Sequence, residues 1–168
     1  MTKLNNFERL SLMLQASMHQ RSSVDYGINP NFISHCLSRK HEWALNWKYD
    51  WLDKEDHELD ASVEEVCDIF DVYRNIQRSG DEIGLPKSKT RFPGFDANND
   101  SHYGIAITMV EWLESYEDLE GATSNSHSRA SIDRYRRQVV LYKEMMRESI
   151  ERYEYRSLTA EEIEKLLG

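Results

Sequence analysis

The chain contains 168 residues with a formal net charge of −9, and 39% of them are hydrophobic. This length suits one domain with a single hydrophobic core and is short for two full-sized domains. No stretch approaches the roughly 18 consecutive apolar residues of a membrane span, and the first residues lack the apolar run of a signal peptide. We therefore expect a cytoplasmic protein with no membrane partner.

The negative charge is concentrated between residues 50 and 82. This segment contains twelve acidic and three basic residues, so its net charge of −9 equals that of the whole chain. An acidic chain repels the phosphate backbone of nucleic acids, and nucleic-acid binding is therefore not expected.

Cys36 and Cys67 are too few for a disulfide framework, and the six histidines form no His-x3-His pair. The sequence thus indicates no metal site and no cofactor.

Two amphipathic helices are predicted in the N-terminal part of the chain. Asn5 or Asn6 can cap the first helix, and Asn29 followed by Pro30 is typical of a cap and a first helical position. Apolar residues recur three and four positions apart, as they do on one face of a helix. The apolar face of the first helix consists of Phe7, Leu10, Leu14 and Met18.

Three tryptophans, Trp43, Trp47 and Trp51, follow at intervals of four residues, which would place them in a slanted stripe on one helical face. Such a stripe can be an interaction surface for a protein partner or for a flat ligand. It can equally pack into the core or form the seam of a dimer, and burial alone would explain it. These three residues are the candidate interaction surface.

Four further helices are predicted after residue 60. They cover about residues 62–80, 98–119, 131–153 and 159–167. Ser62 with Glu65 has the spacing of a capping box at the start of a helix, and Thr159 with Glu162 repeats it. Strand-like alternation is hard to find. The sequence therefore predicts an all-α bundle of six or seven helices that forms a single domain over residues 1–168.

The segment from Arg91 to Asp96, with the sequence Arg-Phe-Pro-Gly-Phe-Asp, predicts an ordered turn between two of these helices. Proline presets φ near about −65° and glycine tolerates positive φ, so the Pro-Gly pair favours a tight bend. The bend would hold Phe92 and Phe95 in place. Large apolar side chains on a turn usually fill a space, which here is either the core of the domain or a ligand pocket.

The helix predicted over residues 131–153 is mildly basic and carries interleaved tyrosines. This combination occurs in surfaces that bind nucleic acids. A solvated helix face explains it more simply, as does a face that meets the acidic segment of the same chain or of a second chain. Complementary charge blocks of this kind indicate self-association.

An enzyme is a further hypothesis. His102, with Asp96 or Asp100 and with Arg91, could supply an acid–base group, an orienting carboxylate and an anion clamp. Polar residues at a helix end explain the same residues without any catalysis. No nucleophile elbow, phosphate-binding loop or dinucleotide-binding glycine pattern occurs in the sequence, so we favour a protein that is not an enzyme.

The order of the segments resembles the YfbU family of small helical proteins. The matching pieces are residues 6–10, the run from Val66 through Tyr73, residues 91–97 with Tyr103 beyond them, and residues 158–163. The similarity covers nearly the whole chain, and Gly94-Phe95-Asp96 is its specific signature. The tryptophan stripe and residues 21–39 depart from what the family would lead us to expect.

The resemblance implies a cytoplasmic helical protein of a bacterial and archaeal family that has no established activity. A ligand-binding or regulatory role is suspected for this family, since the domain can occur beside a DNA-binding helix-turn-helix. No catalytic residue is implied. A pocket is expected against the turn, and its candidate ligand-binding residues are Arg91, Phe92, Phe95, Asp96 and Tyr103.

The sequence and the resemblance together predict a non-catalytic ligand-binding or regulatory module that forms a homodimer. The alternative is a protein interaction module that docks through the tryptophan stripe or the basic helix. A ligand site should show concave aromatic walls with a few polar groups, whereas an interaction module should show an exposed apolar patch.

Overall fold

A computed structural model describes residues 4–21, 27–49, 51, 59–127, 131–152 and 154–168. The described residues form eight α-helices and one π-helix. The helices are α1 (Asn6–His19), α2 (Pro30–Arg39), α3 (Glu42–Lys48), α4 (Ala61–Glu82), α5 (Lys87–Thr90), α6 (Ser101–Ile107), the π-helix (Thr108–Trp112), α7 (Ser131–Glu151) and α8 (Ala160–Leu167). The all-α prediction is confirmed. None of these helices is long and apolar enough to cross a membrane.

Several predicted helix starts are confirmed by their capping hydrogen bonds. The Asn5 side chain accepts from the backbone at the start of α1, and Asn29 does the same for α2 with Pro30 as the first helical residue. Thr159 and Glu162 form the predicted capping box of α8. The capping box predicted at Ser62 is wrong, because Asp60 is the cap and α4 already begins at Ala61.

The helix predicted over residues 98–119 is much shorter than expected. Asp100 caps α6, whose last turn widens into the π-helix, and regular structure ends at Leu113. Glu114 and Tyr116 both have positive φ angles, 55° and 59°, which reverse the chain and end the helical path. Between the helix predicted over residues 62–80 and the turn, the chain forms the short helix α5.

The main core surrounds α4, which packs against α5, α6, α7 and α8. Its fully buried side chains from α4 include Val66, Ile69, Phe70, Tyr73 and Ile76. Polar groups buried in this core form hydrogen bonds with one another. The Tyr73 hydroxyl donates to Gln138, and Gln138 donates to the carbonyl of Leu166, which ties α4, α7 and α8 together.

A smaller second core lies among α2, α3 and the end of the π-helix. Its buried residues are Phe32, Cys36, Ala44 and Tyr49. Trp112 stacks on Phe32 with ring centroids 5.9 Å apart. Trp43 packs against both cores and so connects them. Helix α1 packs on α2 and lies outside both cores.

Candidate functional site

The predicted turn is ordered and held by a second loop. Gly94 has φ of 95°, and a Cβ atom there would collide with the carbonyl oxygen of Ser124. The Phe92 amide donates to the carbonyl of Glu120 at 3.1 Å, and the Ser126 amide donates to the carbonyl of Phe95 at 2.9 Å. The loop over residues 120–126 therefore lies directly against the turn, which explains why glycine is needed there.

Both phenylalanines of the turn point into the main core, where they are completely buried. Their ring centroids are 5.2 Å apart, and Phe92 also contacts Tyr73 at 4.8 Å. Tyr135 packs against both rings and donates its hydroxyl to the carbonyl of Gly94 at 2.7 Å. The aromatic side chains of the turn thus fill the core of the domain, one of the two spaces that the sequence left open.

The remaining candidate ligand residues do not converge on one cavity. Asp96 is buried and accepts hydrogen bonds from the Asn98 amide and the Asn99 side chain, so it stabilises the backbone that leads into α6. Arg91 is exposed and lies near Ser124 and Glu120. Tyr103 packs half-buried against the edge of the main core.

His102 is enclosed by two carboxylates. Its Nδ1 atom contacts Asp100, its Nε2 atom lies 2.6 Å from Glu65, and its ring stacks on Phe95 with centroids 5.6 Å apart. Glu65 also accepts from Arg136, and this hydrogen bond lowers the pKa of the Glu65 carboxyl. His102 thus has a carboxylate on each ring nitrogen and, through Glu65 and Arg136, links α4, α6 and α7.

The three tryptophans of the predicted stripe lie in different environments. Helix α3 ends at Lys48, so Trp51 lies beyond the helix, and the prediction of three tryptophans on one helical face is wrong. Trp43 is half-buried between the two cores. Trp47 is 42% exposed and Trp51 is 59% exposed. Two of the three side chains are thus available to a partner.

Among the residues that the structure describes, the largest run of exposed apolar side chains lies on α1. Four residues there are at least half exposed, and we call them the outward face of α1. They are Phe7 (85% exposed), Leu10 (54%), Leu14 (59%) and Met18 (73%). The helix is attached to α2 through its other side, where Ala16 is buried. A helix normally turns such a face towards the core.

The basic helix α7 meets the acidic segment of the same chain. Arg136 pairs with Glu65 at 2.6 Å, and Lys143 pairs with Asp68 at 2.6 Å. The charge complementarity noted in the sequence is therefore used, at least in part, between α7 and α4. Exposed ion pairs of this kind add little stability, but they orient the two helices.

A polar surface cleft of about 280 Å³ lies beside α4 and the segment that precedes the turn. It is lined by three basic residues, Arg74, Arg78 and Lys87, and by three acidic ones, Asp81, Asp118 and Glu120. Arg74 is held by a hydrogen bond of 2.7 Å to Asp118. The cleft has no aromatic wall, unlike the pocket that was expected against the turn.

The model of the YfbU domain matches residues 2–168 of the chain. The chain belongs to the YfbU family. No curated protein and no solved structure matches it significantly. The suspected resemblance is therefore confirmed over essentially the whole YfbU chain.

One polar cluster of this YfbU domain was not found from its sequence. His35 and His41 each place a ring nitrogen 2.8 Å from the Thr108 hydroxyl, which itself lies 3.0 Å from the carbonyl of Gly104. Because the carbonyl can only accept, the hydroxyl donates to it and both imidazoles donate to the hydroxyl. Each histidine thus uses one ring nitrogen as a donor to the same hydroxyl.

Burial favours the neutral form of both histidines. It lowers the pKa of His35, with Arg39 as the second cause, and it lowers the pKa of His41 to about 4, with His35 and Arg39 adding to the effect. Thr108 stands at the start of the π-helix, about 70 positions after the histidines in the sequence, and no spacing signal connects them. The cluster joins α2 and the start of α3 to the π-helix.

Proposed function

We propose that this YfbU domain is a non-catalytic association module whose partner is a second copy of the same chain. The observation that carries this proposal is the contrast between the turn and α1. Phe92 and Phe95 are completely buried, whereas Phe7 is 85% exposed. Of the two expected geometries, an exposed apolar patch is thus the one that the surface offers.

The turn supports this choice because a ligand there would have to displace core side chains. Phe95 contacts Phe92, Tyr135 and His102. We expect Phe95→Ala to lower the free energy of unfolding by about 3–5 kcal/mol, as other large aromatic truncations in cores do. A variant that keeps its stability but loses a bound small molecule would instead favour the ligand pocket.

Sedimentation velocity over a wide range of protein concentrations tests the proposal. We expect the weight-average mass to rise from that of one chain to that of two as the concentration increases. A chain that remains monomeric at every concentration would overturn the proposal, since the exposed apolar side chains would then have no copy of themselves as partner.

A second candidate function is the binding of a small ligand that carries both positive and negative groups. The observation that favours it is the cleft of about 280 Å³ with its mixture of basic and acidic walls. A native mass spectrum should then show a mass surplus that disappears on denaturation. The surplus should be lost in Lys87→Gln, which changes the cleft, and kept in Lys89→Gln, which changes the same helix outside it.

A further inference from the structure

The outward face of α1 is more regular than a scatter of exposed side chains. With about 100° of rotation per residue, its four members fall within an arc of about 80° on the helix. Ala16, which is buried, and Arg9, which is half-buried, lie on the opposite side. The helix therefore presents one continuous apolar stripe away from the rest of the domain.

This stripe is presented on a helix that is well attached. Arg9 forms a salt bridge of 2.6 Å with Glu42 of α3, and both side chains are nearly buried, with exposures of 12% and 13%. Gln20 at the end of α1 hydrogen-bonds to Asn31 of α2. Asn5 and Glu8 close the start of α1 with a capping box. Anchoring at both ends holds the outward face in a fixed orientation, which lowers the entropic cost of binding.

The area of the outward face fits an interface between two copies. Side chains of this size, exposed to the observed degree, present on the order of 500 Å² in total, which lies in the upper range for the largest patch on a monomer. Two such faces pressed together would bury about 1,000 Å², the size at which a specific interface becomes plausible.

The order of residues along the stripe suits an antiparallel pair. Phe7 would lie opposite Met18 of the partner subunit, and Leu10 would lie opposite Leu14 of the partner subunit. The residue numbers of the two pairings sum to 25 and 24, so the pairings agree to within one residue, or about 1.5 Å along the helix. A twofold axis near the middle of α1 generates all four contacts from the same surface on each chain.

Charge at the two ends of α1 favours the same orientation. Arg9 at the start of α1 is paired with Glu42, so Glu8 is the remaining charged side chain of the first turn, while Arg21 lies just beyond the last turn. An antiparallel pair brings these two ends of opposite charge towards each other. The helix dipoles also oppose each other favourably in this arrangement. A parallel pair would bring like charges together.

We propose that the outward face of α1 packs antiparallel against the same face of a second copy, across a twofold axis that lies between the two helices at the level of residues 12 and 13. This inference rests on the proposed function and names its interface. Sequence periodicity alone would have assigned the same residues to the core of the chain.

The first test compares two single charge additions on α1 by sedimentation velocity. In a Leu14→Glu dimer, each of the two chains would bury one carboxylate in the interface. We expect this variant to raise the dimer dissociation constant by at least about 100-fold. Gln15→Glu adds the same charge at an exposed position outside the stripe and should leave dimerisation unchanged. Circular dichroism should show both variants folded, since neither side chain is buried in the monomer.

The second test determines orientation. Phe7→Cys and Met18→Cys are introduced together, the protein is oxidised, and the crosslinked peptides are identified by mass spectrometry. We expect disulfides between position 7 of one chain and position 18 of the other. Links from 7 to 7 and from 18 to 18 would overturn the antiparallel arrangement.

The outcomes separate this inference from the proposed function. A wild-type dimer that Leu14→Glu leaves intact would overturn the α1 interface while self-association stands. Loss of that dimer in Trp47→Ala would place the interface at α3 instead. A monomeric wild type would overturn both proposals and leave the outward face to a different protein.

Discussion

At the scale of single residues, glycine and threonine have the clearest structural roles. Gly94 adopts a left-handed conformation while the Ser124 carbonyl lies where a side chain would begin. Thr108 accepts from two imidazoles and donates to a carbonyl, so one hydroxyl joins three segments of the chain. Each of these residues is required by its neighbours in space, and each can be tested by a single substitution.

Gly94→Ala should lower the free energy of unfolding by about 2–5 kcal/mol, because it adds backbone strain and a steric collision. Gly84→Ala is the matched control, since Gly84 also has a positive φ, 74°, but has open space around it. That control should cost only about 1 kcal/mol. Urea unfolding of the two variants measures the difference, and equal losses would contradict the close approach of the loop at Ser124.

Thr108→Val should lower the free energy of unfolding by about 1–3 kcal/mol, because it leaves two half-buried imidazole N–H groups without their acceptor. Thr108→Ser keeps the hydroxyl and should recover most of this loss. Thermal unfolding of both variants provides the measurement. If serine proves as harmful as valine, the methyl group and not the hydroxyl is what the site requires.

The histidine cluster should make stability depend on pH. The pKa of His41 is lowered from 6.5 to about 4, chiefly by burial, so the unfolded chain binds a proton in this range more readily than the folded one. The free energy of unfolding should therefore fall as pH drops from about 6.5 towards about 4. His41→Gln should flatten this part of the profile, whereas His19→Gln at an exposed position should leave it unchanged.

At the scale of elements, α8 shows how local and tertiary contacts combine. Glu162 closes the capping box with Thr159 and accepts two hydrogen bonds from Arg156, at 3.0 and 2.9 Å. The hydrogen bond from Arg156 is the main reason why the pKa of Glu162 falls from 4.5 to about 2. Ile163 and Leu166 are buried in the main core, so this cap supports a helix that completes the core.

Glu162→Gln should lower the free energy of unfolding at pH 7 by roughly 1 kcal/mol, the usual cost of losing a cap. Because the carboxyl has a lowered pKa, its contribution is complete above about pH 4.5 and disappears as pH falls towards about 2. The difference between wild type and variant should shrink over this range. Glu161→Gln, an exposed change in the same helical turn, should show a smaller and flatter difference in thermal unfolding.

At the scale of the whole molecule, the domain consists of a main core around α4 and a smaller core around α2 and α3. Trp43 packs on both, and the histidine cluster supplies hydrogen bonds between them. Helix α1 lies on the outside of the smaller core. If two chains associate through the outward face of α1, each dimer places the two main cores on opposite sides of the shared axis.

Self-association should make thermal stability depend on concentration, because a partner that binds only the folded state stabilises it by mass action. We expect the melting temperature of the wild type to rise with protein concentration over a hundredfold range. Leu14→Glu should melt at one temperature throughout that range. A melting temperature of the wild type that does not change with protein concentration would contradict the proposed dimerisation.

Local signals predicted much of the fold, and long-range contacts account for the errors. The caps at Asn5, Asn29 and Thr159 depend on neighbours three residues away or fewer, and all three are confirmed. The predicted helix up to residue 119 failed because the chain leaves the helix after the π-helix, through two residues with positive φ. Those residues, Glu114 and Tyr116, carry no local signal for that conformation.

The distinction between local signals and long-range contacts also applies to the candidate sites. The ordered Phe-Pro-Gly-Phe turn was predicted from proline and glycine, but the direction in which Phe92 and Phe95 point was not. The tryptophan spacing left burial and exposure open, and the structure places Trp43 between the two cores and exposes Trp47 and Trp51. The histidine cluster was missed because Thr108 lies far from His35 and His41 in the sequence.

The sequence by itself determined the all-α class, the family, the helix caps at Asn5, Asn29 and Thr159 and the presence of a rigid turn, because capping, helical periodicity and Pro-Gly geometry act over a few residues. Only the tertiary structure decided which apolar faces are buried. An amphipathic helix such as α1 carries the same pattern whether its stripe meets its own core or a partner. Here α1 packs on α2 and buries Ala16, which leaves the stripe on the outside.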